Sequence, residues 1–158
     1  MTYQTTIDKF LNEKRIAIVG VSRNPSDYSR AVFRKFLQLG YLAIPVNPNA
    51  DEIDGIPCFP DVTAIAHPPS AALLLTSAES TWDELQGCSN AGIKLIWSRH
   101  HLDERAKDFC EAAGMLVVDG YCPFLFFPDS AGVHKLHGLL LKLVGQYPEK
   151  EPAFPVVG

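Results

Sequence analysis

The sequence predicts an α/β fold, a doubly wound parallel five-stranded sheet with helices on both faces, on three observations. Short apolar runs rich in β-branched residues recur five times: RIAIVGV, YLAIPVNP, AALLLTS, IKLIWS and MLVVDGYC. Between them lie stretches with apolar residues three or four positions apart, the period of a helix with one buried face. Gly40, Gly92 and Gly114 stand where those stretches need a left-handed C-cap. Strands alternating with helices call for a parallel sheet, and right-handed crossovers wind it in both directions.

Taken in order, TTIDKFLN opens with Thr5 and Asp8 in a capping-box-like spacing, and Ile7, Phe10 and Leu11 share a helical face. RIAIVGV is an unbroken apolar strand, as expected of one covered on both sides. In SRAVFRKFLQLGY, a stripe of Val32, Phe33, Phe36 and Leu37 faces inward and Arg34, Lys35 and Gln38 face water. The second strand carries Pro45, which predicts an irregularity or a strand end. A turn-rich connection follows, with room for a short helix from Asp61 to Ile65. The third crossover, STWDELQGCSNAG, shows Thr81 and Glu84 in capping-box spacing, and the fourth, LDERAKDFCEAAG, is capped by Asp103. After the aromatic YCPFLFFP loop, Ser130 caps a C-terminal helix. Residues 1–150 read as one domain and the proline-rich residues 151–158 as a tail.

The bulk numbers narrow the function. At 158 residues with 47% hydrophobic and 20% charged side chains, the chain has the makeup of one soluble globular domain. A net charge of -4 without a lysine/arginine block gives no field for nucleic acid. Its apolar runs are too short to span a membrane. Cys58, Cys88, Cys110 and Cys122 form no CxxC pair, which fits reduced thiols in a cytoplasmic protein.

In doubly wound sheets, ligands lie at the carboxyl ends of the strands. A dinucleotide site there needs G-x-G-x-x-G, followed by an acidic residue at the end of the second strand. Only Gly20 is present in the first loop, and Asn47 and Pro48 hold the acidic place. An NAD(P)-binding oxidoreductase is therefore disfavoured. The loop still has anion chemistry: backbone amides at a helix start near Ser26 to Ser29, hydroxyls from Ser22 and Ser29, and charge from Arg23 and Arg30. The alternative is a plain helix cap with solvated arginines, and the loop alone does not decide. Thr76 and Ser77 end the third strand, and Ser98, Arg99, His100 and His101 end the fourth. Trp97 reads equally as core, and the two histidines as surface.

Several segments together resemble a known family: IAIVGVSRNPSDYSRAVFRKFLQLGYLAIPVNP, GIPCFPDV, AGIKLIW and EAAGMLVV, in this order and spacing. They resemble the small stand-alone CoA-binding domain family, itself similar to the nucleotide-binding domain of the succinyl-CoA synthetase α subunit. The resemblance runs from about Lys14 to Cys122. It implies a Rossmann-like domain holding coenzyme A or an acyl-CoA. The ADP part would lie on Gly20, Val21, Ser22 and Arg23, against Asn47 and Pro48. Thr76 and Ser77 would lie beside adenine and pyrophosphate, and the turn from Trp97 through Ser98 and Arg99 would close over the ligand. This chain departs from the family at Asn49 and Ala50, at Arg99–His101, and at Asp119–Phe124.

Catalytic signals are weak. Cys122, His134 and His137 show no diagnostic metal spacing, and no cysteine is flanked by a base. Elbow, Walker and paired-carboxylate patterns are missing from the sequence. The expectation is a non-catalytic binding protein without metal. The alternative is a CoA-thioester enzyme or subunit acting with a partner domain. A homodimer through the aromatic loop is open, though burial of that loop within the chain is preferred.

Overall fold

The computed structural model describes residues 2–127. The elements run α1 (Tyr3–Asn12), β1 (Arg15–Val19), α2 (Tyr28–Gln38), β2 (Leu42–Val46), β3 (Glu52–Ile53), β4 (Ile56–Pro57), β5 (Ala71–Leu74), α3 (Thr81–Asn90), β6 (Leu95–Ser98), α4 (Glu104–Ala112) and β7 (Leu116–Asp119). Short 3-10 turns occupy Val62–Ala64 and Pro123–Phe126. Five strands form one parallel sheet in the order β2-β1-β5-β6-β7, a Rossmann-like α/β architecture. The expected C-terminal helix, with His134 and His137, and the tail at 151–158 lie outside the described residues.

Alternation along each strand divides the core between the two faces of the sheet. Ile16 and Ile18 of β1, Leu73 of β5, Trp97 of β6 and Val118 of β7 pack with Ile7 and Phe10 of α1 and with Val32, Phe33 and Phe36 of α2. Their strand neighbours Ala17, Ala72, Leu74, Ile96 and Val117 pack on the other side with Leu85 and Cys88 of α3 and Ala106 and Cys110 of α4. Burial pushes the Cys88 and Cys110 thiols up to about 12, so both stay protonated in the core.

The aromatic loop belongs to the first of these layers. Trp97 meets Phe10 and Phe126, each at 5.4 Å between ring centroids, and Phe36 meets Phe127 at 5.0 Å. Edge-to-face packing of this kind fixes the loop within its own chain.

Several local expectations are corrected. α1 starts at Tyr3 because Thr2, not Thr5, is the N-cap and accepts from the Thr5 amide. α2 is capped by Asp27 and not by Ser26 or Ser29. Thr81 and Glu84 make no capping box. Ser80 holds the cap position without a side-chain capping bond, while Thr81 donates to the Ser77 carbonyl and Glu84 turns toward Thr76 at the β5 tip. Pro45 sits inside β2, tolerated because β2 is the edge of the sheet and the Pro45 carbonyl accepts from Phe59 on that edge.

The connection after β2 contains a hairpin that the sequence reading missed. β3 and β4 pair antiparallel through Asp54 and Gly55, both at positive φ (51° and 77°), as a two-residue Asp-Gly turn requires. Asp54 reaches from this turn to α2, where it accepts from Arg30 and from the Nε and Nη2 of Arg34. Those hydrogen bonds, Arg34's first, hold its carboxyl below the usual carboxylate range. The stability it contributes is therefore present above that range and is lost as pH falls through the lowered value. Asp54→Asn keeps the turn but removes the charge facing buried Arg30. We expect a loss of about 1–3 kcal/mol in chemical denaturation at pH 7, shrinking toward pH 3. Equal stability at pH 7 would show that the hairpin does not anchor α2.

Candidate functional site

Setting aside the β3–β4 hairpin, the strand order reverses direction between β1 and β5. The chain leaves β1 for α2 on one face and leaves β5 for α3 on the other, so the two tips part and a crevice opens. Gly20 lies at its root. It takes φ +89°, and its amide donates to the Val46 carbonyl at the tip of β2. A Cβ here would stand 2.5 Å from Thr76 Cγ2 and 3.0 Å from the Thr76 nitrogen. Three strand tips thus converge on one glycine for a steric reason.

The first loop is largely satisfied by its own side chains. The Ser22 amide donates to Ser29 Oγ, the Asn24 amide to Ser22 Oγ, and the Ser26 amide to Asn24 Oδ1. Ser29 in turn donates both its amide and its hydroxyl to Asp27. Among the described residues, the amides of Val21 and Arg23 have no hydrogen-bond partner. The carboxylate of Asp27 occupies the start of α2, which was expected to draw an anion. Ser29's hydrogen bonds hold its pKa below the ordinary value, with the Arg99 charge a smaller contributor.

Arg30 is also corrected. At 6% exposure it is no surface cation; it donates to the Ser22 and Arg23 carbonyls and to Asp54, supporting the loop from below. Asn47 ties the β2 tip to the β1 tip by donating to the Val21 carbonyl at 2.8 Å, and its Oδ1 accepts from the Asn49 amide.

At the tip of β6 the predicted residues separate. Trp97 is 0% exposed and donates to the Tyr121 carbonyl, and Ser98 is 1% exposed and donates to the His100 carbonyl. Both are therefore structural in this fold and present no surface to the crevice. Arg99 is exposed, with its guanidinium 4.5 Å from the Tyr28 ring centroid, a cation–π contact. The Tyr28 hydroxyl lies 2.9 Å from Cys122 Sγ. Burial first, then that hydrogen bond, push the phenol well above its ordinary pKa. Next to them, buried Asp119 accepts from the Tyr3 hydroxyl and the Leu102 amide, and His101 Nδ1 lies 3.5 Å away.

On the α3 side of the crevice is a cleft of about 640 Å³. Val19, Val46, Pro48 and Val62 supply apolar wall, while Asp61, Glu79, Asp83 and Glu84 supply carboxylates. No cation is among its described lining residues. Gly20, Pro48 and Thr76 line it, whereas Ser77 is not part of its lining and lies 3.3 Å from Ser80 between hydroxyls.

Glu84 was missed as a site residue, since its position three residues after Thr81 read as a cap. Thr76 Oγ1 donates to one of its carboxyl oxygens at 2.5 Å. Burial pushes Glu84 up to about 7, aided by Asp83 and opposed by the Thr76 bond. The available signal was an ionisable residue on the same helical stripe as Thr81, Leu85 and Cys88.

Two outcomes follow from this geometry. Gly20→Ala should lose about 2–4 kcal/mol, combining a strained φ with contact against Thr76; an unchanged melting temperature would remove Gly20 from the centre of the site. Glu84→Gln should stabilise the protein at pH 8. The fold holds a proton on Glu84 that the unfolded chain releases between 4.5 and about 7, so wild-type stability falls as pH rises through that window. The gain, on the order of 2–3 kcal/mol at pH 8, should vanish near pH 4. A pH-independent difference would show that Glu84 is not the group responsible.

Comparison with known proteins agrees with this architecture. Residues 14–128 match the family described as CoA binding domain. The chain is 27% identical over 110 residues to the uncharacterized protein YneT of Bacillus subtilis (strain 168), covering 69% of this chain and 82% of that one. It is 29% identical over 83 residues to the acetate–CoA ligase (ADP-forming) II of Archaeoglobus fulgidus, covering 51% of this chain but 12% of the ligase. A solved structure of a conserved hypothetical protein from Pyrococcus furiosus superposes with a TM-score of 0.64 at 29% identity, over 69% of this chain and 95% of that one. With the match extending over most of its length and over the entire parallel sheet, the chain belongs to the CoA binding domain family.

Proposed function

We propose that this protein binds coenzyme A, free or acylated, at the strand tips without catalysing a reaction of its own. The crevice at Gly20 carries the reading: it lies at the switch point of the sheet, inside the family match, and opens into a cleft within the size range of small-molecule sites. Charge orients the ligand. Four carboxylates line the cleft, so the phosphates belong outside it, toward the exposed side chains of Arg23 and Arg99 and the Arg23 amide, Val21 being fully buried. The base-bearing end then enters the apolar part of the cleft, beside Pro48 and Thr76. Ser22 and Asn47 shape the loops around it. Arg30 and Ser29 act by holding the first loop in place.

An NAD-linked reaction fits less well. Asn47 has its amide committed to Val21 and offers no carboxylate to a ribose. Action as a subunit beside a partner enzyme is the second reading, favoured by the chain's likeness to a segment covering 12% of an ADP-forming acetate–CoA ligase. A cytoplasmic location and a homodimer are compatible with either. No helix among the described residues is long and apolar enough to cross a membrane.

The deciding measurement is calorimetric titration of the purified protein with CoA, and with dephospho-CoA, NAD and ATP as comparators. CoA should bind preferentially, and Arg23→Glu should weaken it about tenfold or more without lowering the melting temperature, since it reverses an exposed charge facing the phosphates. Stronger binding of NAD, or full CoA affinity in the charge-reversed variant, would displace this reading.

A further inference from the structure

We propose that Glu84 is a specificity-determining residue of the cleft, meeting the edge of an adenine ring as a neutral carboxylic acid. It would accept from the exocyclic amino group and donate to the neighbouring ring nitrogen. This rests on the coenzyme A reading above and goes beyond it by naming what selects the base.

The cleft sets apolar wall on one part of its lining against polar side chains on another, Glu84 among them. Val19, Val46, Pro48 and Val62 offer surface suited to the faces of a flat ring. Glu84 reaches the same cleft from α3, with one carboxyl oxygen accepting from Thr76 at 2.5 Å and keeping a second lone pair for the base. The other oxygen has no hydrogen-bond partner among the described residues. A purine has the complementary character: apolar faces, and hydrogen-bonding groups only around its edge.

The surroundings decide which form of Glu84 meets the ligand. Asp83 and Cys88 share α3 with it, and Glu79 stands just before the N-cap Ser80. Asp61 faces the cleft from the 3-10 turn, and Cys110 of α4 lies beside Cys88. Arg105 of α4 stacks on Trp82, with its guanidinium 3.8 Å from the ring centroid, and does not line the cleft. Thr76, from the β5 tip, does not titrate in this range. An ionised Glu84 thus has acidic neighbours and no cation among the described lining, and burial already lifts it to about 7. Phosphates arriving on the ligand favour the neutral form further.

The two forms read different bases. A neutral acid has one donor and one acceptor, the complement of adenine's ring nitrogen and amino group. An ionised carboxylate has acceptors only, the complement of the ring N–H and amino group on the edge of guanine. Adenine binding therefore takes up a proton above neutral pH. If only the neutral form binds, affinity falls about tenfold between pH 6 and pH 8.

The test is calorimetric titration of CoA at pH 6, 7 and 8, in two buffers of different ionisation enthalpy. It compares wild type with Glu84→Gln and Glu84→Ala, and adds adenosine and guanosine 3′,5′-bisphosphates as base probes. Wild type should lose about tenfold in affinity across the range and take up close to one proton at pH 8. Glu84→Gln keeps a donor and an acceptor at every pH and should bind with that dependence removed. Glu84→Ala should lose the preference for the adenosine over the guanosine probe. Titration of the ligand's own phosphates is common to all three proteins and cancels in the comparison. A wild-type pH slope that survives in Glu84→Gln, or an adenine preference intact in Glu84→Ala, overturns the inference while leaving CoA binding standing. Failure of CoA to bind wild type at any pH overturns both.

Discussion

Close approach of three strand tips at Gly20 is the constraint on which the rest of the site depends. The Gly20 amide holds the tip of β2, and the missing side chain leaves the space that Thr76 fills after β5. That contact draws β1 and β5 together just before their chains diverge to opposite faces of the sheet. With a side chain at position 20, Thr76, whose hydroxyl holds Glu84, would have to move. The floor of the cleft, the orientation of the half-buried Glu84 carboxyl and the start of the first loop therefore share one steric cause.

Charge is distributed unevenly around this point. Carboxylates of Asp61, Glu79, Asp83 and Glu84 gather on the α3 side, whereas Arg23 and Arg99 stand exposed among the loops at the strand tips. An elongated ligand with phosphates at one place and a neutral ring at another can match both regions; a compact anion can match only the second. Asp27 refines the picture by occupying the start of α2, where a ligand phosphate would otherwise compete for the Ser29 amide. Phosphate recognition on the proposed reading thus falls to arginine side chains more than to the helix terminus.

The layered architecture was legible because it follows from periodicities that survive in any context. Apolar runs marked all five sheet strands, and Gly40, Gly92 and Gly114 each adopt the positive φ expected of a C-cap. What could not be read were the choices between local and tertiary partners. Glu84 has the spacing of a capping residue, but Thr76, eight residues earlier and on another element, takes its carboxyl. Trp97 lies two residues before exposed Arg99 and on the same face by alternation, yet it falls inside β6 and packs in the core against Phe10, whereas Arg99 lies past the strand's end. Arg30 looked like a free cation until Asp54, in an unpredicted hairpin, proved to be its partner. In each case the missing information was which distant residue folds alongside, and one sequence holds no record of that.

The scarcity of glycine in the first loop acquires a physical explanation from the same contacts. A glycine-rich loop leaves its amides bare so that a pyrophosphate can satisfy them. Here Ser22, Asn24 and Ser29 satisfy three of the loop's amides, and Arg30 takes two of its carbonyls from beneath. The loop is consequently ordered before any ligand arrives, and binding need not supply the free energy to order it. What is given up is a full backbone cradle for phosphate. On the proposed reading, recognition then falls to the exposed arginines on one side and to the half-buried carboxyl of Glu84 on the other.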